Sequence, residues 1–109
     1  MKIKCHCGEL IPDTTDYLPY KGYIIPDQDW FNVLDAIDDA VEKSGPEPKE
    51  KEKALMAVRS LMIKVSKTAW QCHSCGLLYI NKAGGQLDCF QPKNGDTSKE
   101  VLKRDPANA

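Results

Sequence analysis

Histidine is scarce in this chain: two in 109 residues, His6 and His73, each set inside a cysteine pair. No histidine–acid–serine constellation and no glycine-rich phosphate loop accompany them, so the usual carriers of acid–base, nucleophilic and phosphoryl chemistry are missing as a set. Long apolar runs are missing too. None approaches the ~18–20 consecutive residues that a membrane span needs. The opening stretch, MKIKCHCGELIP, lacks the apolar core of a secretory signal, so the expected compartment is the cytoplasm, with no membrane partner. Low-complexity tracts are absent. The remaining composition, 41% hydrophobic and 28% charged, is that of an ordinary soluble globular chain. A chain of this length suits one domain with a modest core.

Cysteine, in contrast, is plentiful at five residues. Four fall into two pairs, each followed by glycine: KCHCG holds Cys5 and Cys7, and QCHSCG holds Cys72 and Cys75. Paired thiols in a reducing compartment are more often metal ligands or redox centres than disulfides, and an odd count fits a disulfide framework poorly. A pair separated by one or two residues and followed by glycine can turn both sulfurs toward one point, because glycine tolerates the backbone conformation that such a turn uses. Each pair follows a strand-like segment, as in a zinc-ribbon knuckle. Cys5, Cys7, Cys72 and Cys75 are therefore expected to share one structural zinc ion, closed to water and substrate by its four thiolates. Disulfides between the pairs, reduced thiols without a partner, and a redox CHSC motif are the competing readings, though the last lacks the βαβ context it needs. His6 and His73 are expected to be exposed knuckle residues, and Cys89 a small buried apolar one.

The segments around the pairs predict an α+β fold. Residues 1–26 and 68–92 read as short strands and cysteine turns, with LLYIN and QLDCF forming a hairpin around AGG. Between them, residues 27–67 read as an inserted antiparallel hairpin of two helices. Asp27 or Asp29 is the expected N-cap of the first helix, whose apolar stripe runs Trp30, Leu34, Ile37, Val41. The stripe of the second runs Leu55, Val58, Met62, Val65, after a link of Ser, Gly, Pro, Glu and Pro that stops one helix and opens the next. Residues 93–109 form a polar tail, expected to hold a short helix or strand with a frayed end. All of this is taken as a single domain.

Charge is unevenly distributed although the net charge is −1. Residues 9–48 have a balance of −8, and residues 49–71 one of +4. On the first helix Asp35, Asp38, Asp39 and Glu42 share one stripe, preceded by Asp27 and Asp29. A solvated face explains such a stripe, and so does a docking surface for a basic protein, since charge steers association and excludes wrong partners. Nucleic acid needs a basic stripe to meet phosphate. Lys49, Lys51, Lys53, Arg59, Lys64 and Lys67 offer one, but Glu50 and Glu52 interrupt it. A nucleic-acid-binding accessory or regulatory protein is the alternative reading, with weak generic affinity expected.

The segments KCHCG, DTTDYLPYKGYIIPDQDW, DAIDDAVEKSGP, QCHSCGLLYI and LDCFQP resemble a family of small bacterial zinc-ribbon-like proteins, some regarded as immunity proteins encoded beside toxin genes. The resemblance implies a structural zinc on the four cysteines. It also implies a non-enzymatic module, a monomer or small oligomer, that neutralises a basic toxin domain through its acidic surface.

Overall fold

The structure, a computed structural model, describes residues 1–106 and has the α+β architecture expected from the sequence. Its elements are β1 (Lys2–Lys4), β2 (Leu10–Pro12), β3 (Lys21–Ile24), α1 (Asp27–Lys43), α2 (Pro48–Val65), β4 (Lys67–Gln71), β5 (Leu78–Asn81) and β6 (Leu87–Phe90). They divide into two compact units. Met1–Tyr23 and the chain from Thr68 onward form a β unit; Ile24–Lys67 form a helical unit. Among the described residues no helix is long and apolar enough to cross a membrane.

In the β unit, β1 and β2 form an antiparallel pair, and β3-β4-β5-β6 form a four-stranded sheet in that order. The strands are only three to five residues long. Short ladders of this kind are marginal in isolation, so side-chain contacts decide their pairing. Ile3 sits opposite Ile11, and Trp70 opposite Tyr79. Those four, with Cys5 and Cys72, are the buried cluster of the unit, against which Tyr20, Leu77 and Leu87 pack. Two of its six buried members are thus cysteines.

Polar groups near this core are paired. The Trp70 indole donates to Asp13 at 3.0 Å, and Lys21 closes a salt bridge to the same carboxylate at 2.9 Å. Gln71, 3% exposed, donates to the carbonyls of Gly76 and Ser98 and accepts from the Val101 amide. Gln71 therefore holds the C-terminal segment against the second cysteine turn. That segment forms turns and contains neither the helix nor the strand expected of it up to residue 105. Its order comes from a side chain elsewhere in sequence, which local propensity does not register. Residues 107–109 of the expected polar tail lie outside the described residues.

In the helical unit, α1 begins at Asp27 after Pro26 (φ −58°, ψ 144°), with no side-chain cap. Asp27 and Asp29 are thus first-turn residues rather than the expected N-cap, and they act through their charge on the free N–H groups of the helix start. A capping box opens α2: Glu47 caps the backbone N–H of Glu50, and the Glu50 carboxylate accepts from the Glu47 N–H. A Cβ at Gly45 would displace the Glu50 carboxylate, the flexible end of that side chain, from its place in the capping box. Alanines 36, 40, 54 and 57 line the groove between the helices. Only Val33 and Val58 are buried in this unit. The remaining stripe residues expected to form its core are largely solvent-exposed, since a two-helix hairpin has one interface and each stripe is wider than it.

The Asp13 triad sets a testable pH response. Hydrogen bonding to Lys21 holds the Asp13 carboxyl below its usual range, helped by Trp70 and opposed by burial. The Lys21 ammonium is raised, chiefly by that same bond. Asp13 thus contributes stability that is complete above its unfolded-state pKa of ~3.9 and is lost as pH falls through the lower folded value; the Lys21 share is lost as pH rises past ~10.4 through its raised value. Asp13→Asn should cost about 1–3 kcal/mol at neutral pH in denaturant unfolding, and the difference from wild type should shrink toward pH 3.

Candidate metal centre

The two cysteine pairs occupy equivalent turns. In the first, the Cys5 amide donates to the Glu9 carbonyl at 2.8 Å and the Gly8 amide donates to the Cys5 carbonyl at 2.9 Å. In the second, the Cys72 amide donates to Leu77 and the Gly76 amide to Cys72, each at 2.9 Å. The leading cysteine in each case bonds to the residue after glycine, and glycine bonds back to that cysteine. The single-residue spacer of the first pair therefore shortens the loop without changing how it closes. Both glycines are left-handed, Gly8 at φ 97° and Gly76 at φ 80°, where a side chain is strained. A Cβ on Gly76 would also press on Pro92 and Lys99. Each turn caps an antiparallel pair, β1–β2 and β4–β5, which fixes the direction of its sulfurs.

The structure brings Cys5, Cys7, Cys72 and Cys75 together, with every sulfur within 4.8 Å of the others. The closest approaches run between turns: Cys5 Sγ to Cys75 Sγ at 3.4 Å, and Cys7 Sγ to Cys72 Sγ at 3.6 Å. A tetrahedron with metal–sulfur bonds of about 2.3 Å has edges of about 3.8 Å. The two cross-turn distances lie a little below that figure, the other separations stay within 4.8 Å, and all four are free thiols. The cluster can hold a metal ion. Among the described residues it is the one group of three or more metal-ligating side chains drawn so close.

The electrostatics are those of thiols crowded together. Burial opposes ionisation of Cys5, but hydrogen bonds from the Cys7 amide, the Tyr79 hydroxyl and the Cys75 thiol bring it down to about 6. Burial pushes Cys75 up to about 12, reinforced by Cys5, Cys7 and Cys72. The Glu9 amide favours the Cys7 thiolate, yet desolvation and its neighbours Cys5 and Cys72 leave it raised. One thiolate is accepted readily and further ones repel it. A cation at the centre reverses this, because it makes each additional thiolate favourable.

Tyr79 is a site residue that the sequence reading missed. Its hydroxyl donates to Cys5 Sγ at 3.4 Å and accepts from the His6 amide at 3.1 Å, while its ring lies nearly parallel to that of His6, 8° apart. The signal was present only as an aromatic in LLYIN, which reads equally well as core. His6 and His73 are exposed, as expected of knuckle positions. Cys89 is exposed, not buried as expected. It pairs with Tyr79 across β5–β6 but lies in a strand whose second half faces solvent.

The acidic residues singled out from the sequence all lie on α1. Asp27, Asp35, Asp38, Asp39 and Glu42 are exposed and Asp29 is half-buried. They run along the helix and do not converge. Asp39 pairs with Lys43 at 3.3 Å, an exposed contact of small energetic weight.

The family model that matches the chain covers residues 1–94 and is described as a domain of unknown function (DUF8617). The chain belongs to that family. The matched span includes all eight elements and all four clustered cysteines. No curated protein and no solved structure matches the chain.

Tyr79→Phe removes the hydroxyl that holds Cys5 and retains the ring. Metal affinity measured by chelator competition should fall about 10-fold or more, with the circular dichroism of the metal-loaded protein unchanged.

Proposed function

We propose that the protein is a non-enzymatic protein-binding module in which one zinc ion, held by Cys5, Cys7, Cys72 and Cys75, folds the β unit, and the acidic stripe of α1 receives a basic protein partner. The observation that carries this reading is the set of four sulfurs, every one within 4.8 Å of the others. Four thiolates fill a zinc coordination sphere and leave no position for water or substrate, which is the chemistry of a structural ion. The zinc supplies folding energy, on the order of 10 kcal/mol, to a unit whose strands are too short to sustain themselves. The four cysteines position it, and Tyr79 orients Cys5.

The partner reading rests on charge. The α1 stripe is exposed and, but for the Asp39–Lys43 pair, has no cation within its own helix to neutralise it. Such a surface accelerates encounter with a basic protein and penalises an acidic one. A toxin domain with a cationic surface, neutralised by an immunity protein, is the partner class implied by the resemblance noted above. Nucleic acid is less well served. At 100° per residue Lys49, Lys53 and Lys64 share one side of α2, but Lys51 and Arg59 point elsewhere, so the five cations do not form one continuous phosphate-facing stripe.

Two measurements test the parts separately. Elemental analysis should give about one zinc per chain, and Cys72→Ser should release the metal and unfold the β unit; a folded, metal-free wild type removes the structural-zinc reading. For the partner, the product of the adjoining gene is the natural bait. Its affinity should drop at least 10-fold on Asp35→Lys with Asp39→Lys and should weaken with added salt. Unchanged binding by the charge-reversed protein would sink the acidic-surface proposal while leaving the zinc untouched.

A further inference from the structure

The four clustered cysteines differ in how solvent reaches them. Cys5 and Cys72 are buried, at 2% and 0% exposure, and Cys75 is half-buried, whereas Cys7 is exposed. The contacts between sulfurs have a direction as well. Both run from one turn to the other, Cys7 to Cys72 at 3.6 Å and Cys5 to Cys75 at 3.4 Å. Neither joins two cysteines of the same turn. An open sulfur therefore faces a buried one 65 residues away in sequence. The two turns also differ in freedom. A Cβ on Gly8 would meet nothing within 4 Å, whereas one on Gly76 would press on Pro92 and Lys99. The turn that carries the open sulfur is the one that nothing packs against.

We propose that the centre is a reversible redox switch: an oxidant of the peroxide class enters at Cys7, joins Cys7 to Cys72 and releases the zinc. This inference rests on the structural-zinc reading above and adds a regulation of that site. The Cys7 thiolate attacks one peroxide oxygen, so that an S–O bond forms, the O–O bond breaks and hydroxide leaves. The Cys72 thiolate then attacks the Cys7 sulfur of this sulfenic acid, so that S–S forms, S–O breaks and a second hydroxide leaves. The two sulfurs give up two electrons, the peroxide takes them, and two solvent protons turn both hydroxides into water. A disulfide bond of about 2.05 Å requires the sulfurs to close by about 1.5 Å, a movement the unpacked first turn can supply. Two of the four thiolate ligands are lost in this step, and Cys5 and Cys75 alone hold the zinc too weakly to retain it. Because Cys72 belongs to the other turn, the new bond ties together the same two turns that the metal joined. Reduction by a thiol then returns all four ligands to one place. A second peroxide can close Cys5 to Cys75, the other cross-turn contact.

The test uses the full chain purified with zinc under reductant, which is then removed. Hydrogen peroxide is added in steps beside a zinc indicator, and cross-links are read by mass spectrometry of the unreduced digest. About one zinc should be released per peroxide consumed, with a peptide joining Cys7 to Cys72 as the first product. Dithiothreitol should restore zinc binding, and Cys89→Ser should respond as the wild type does. Zinc retained through about a 10-fold excess of peroxide overturns the switch and leaves the structural zinc standing. A first product that joins Cys72 to Cys75, or that contains Cys89, overturns the cross-turn route. So does Cys7 carried on to sulfinic acid with no disulfide formed. A reduced chain that holds no zinc before peroxide is added overturns the zinc reading and the switch together.

Discussion

Four sulfurs within 4.8 Å of one another are the constraint on which the β unit depends. Cys5 and Cys72 are core residues as well as cluster members, so the packing of Ile3, Ile11, Trp70 and Tyr79 and the placement of the thiols are one problem. Strands of three to five residues bury too little to hold such a cluster by packing alone. Crowded thiols do not hold it by charge either. Cys5 ionises easily, whereas Cys75 is pushed up to about 12 in part by the thiols beside it. The proposed divalent cation would resolve the conflict: it would convert mutual repulsion into four attractions and contribute binding energy directly to folding.

The turns that deliver the sulfurs show how little sequence is needed. Both close with the same two backbone hydrogen bonds around a left-handed glycine, although one has one residue between its cysteines and the other two. The rest of the β unit secures these turns. Tyr79 holds Cys5, Gln71 ties the second turn to the C-terminal segment, and Asp13 pairs the buried Trp70 indole with Lys21.

The parts legible in the sequence were those governed by local pattern. Cysteine spacing and following glycines marked the cluster, and apolar periodicity marked two helices between strand-like flanks. What escaped depends on distant residues. Gln71 orders a tail whose composition reads as frayed, and nothing in KTAWQ announces that its amide reaches Ser98 and Val101. Tyr79 looked like a core aromatic because its hydroxyl partner is 74 residues away. Cys89 was read as buried from residue type alone, whereas its position in β6 leaves it exposed. The helical stripes were identified correctly as apolar rows, but periodicity shows only that a face is apolar and not what covers it. That distinction matters here, because Trp30, Leu34 and Val41 are left exposed.

The most direct test of the zinc clasp is the electronic spectrum of the protein reconstituted with cobalt(II) in place of zinc. Tetrahedral coordination by four thiolates predicts intense sulfur-to-metal charge transfer and strong ligand-field bands, at one cobalt per chain, displaced by stoichiometric zinc and altered by Cys5→Ser. Weak octahedral bands, or a wild type that takes up no cobalt while remaining folded, would contradict the account.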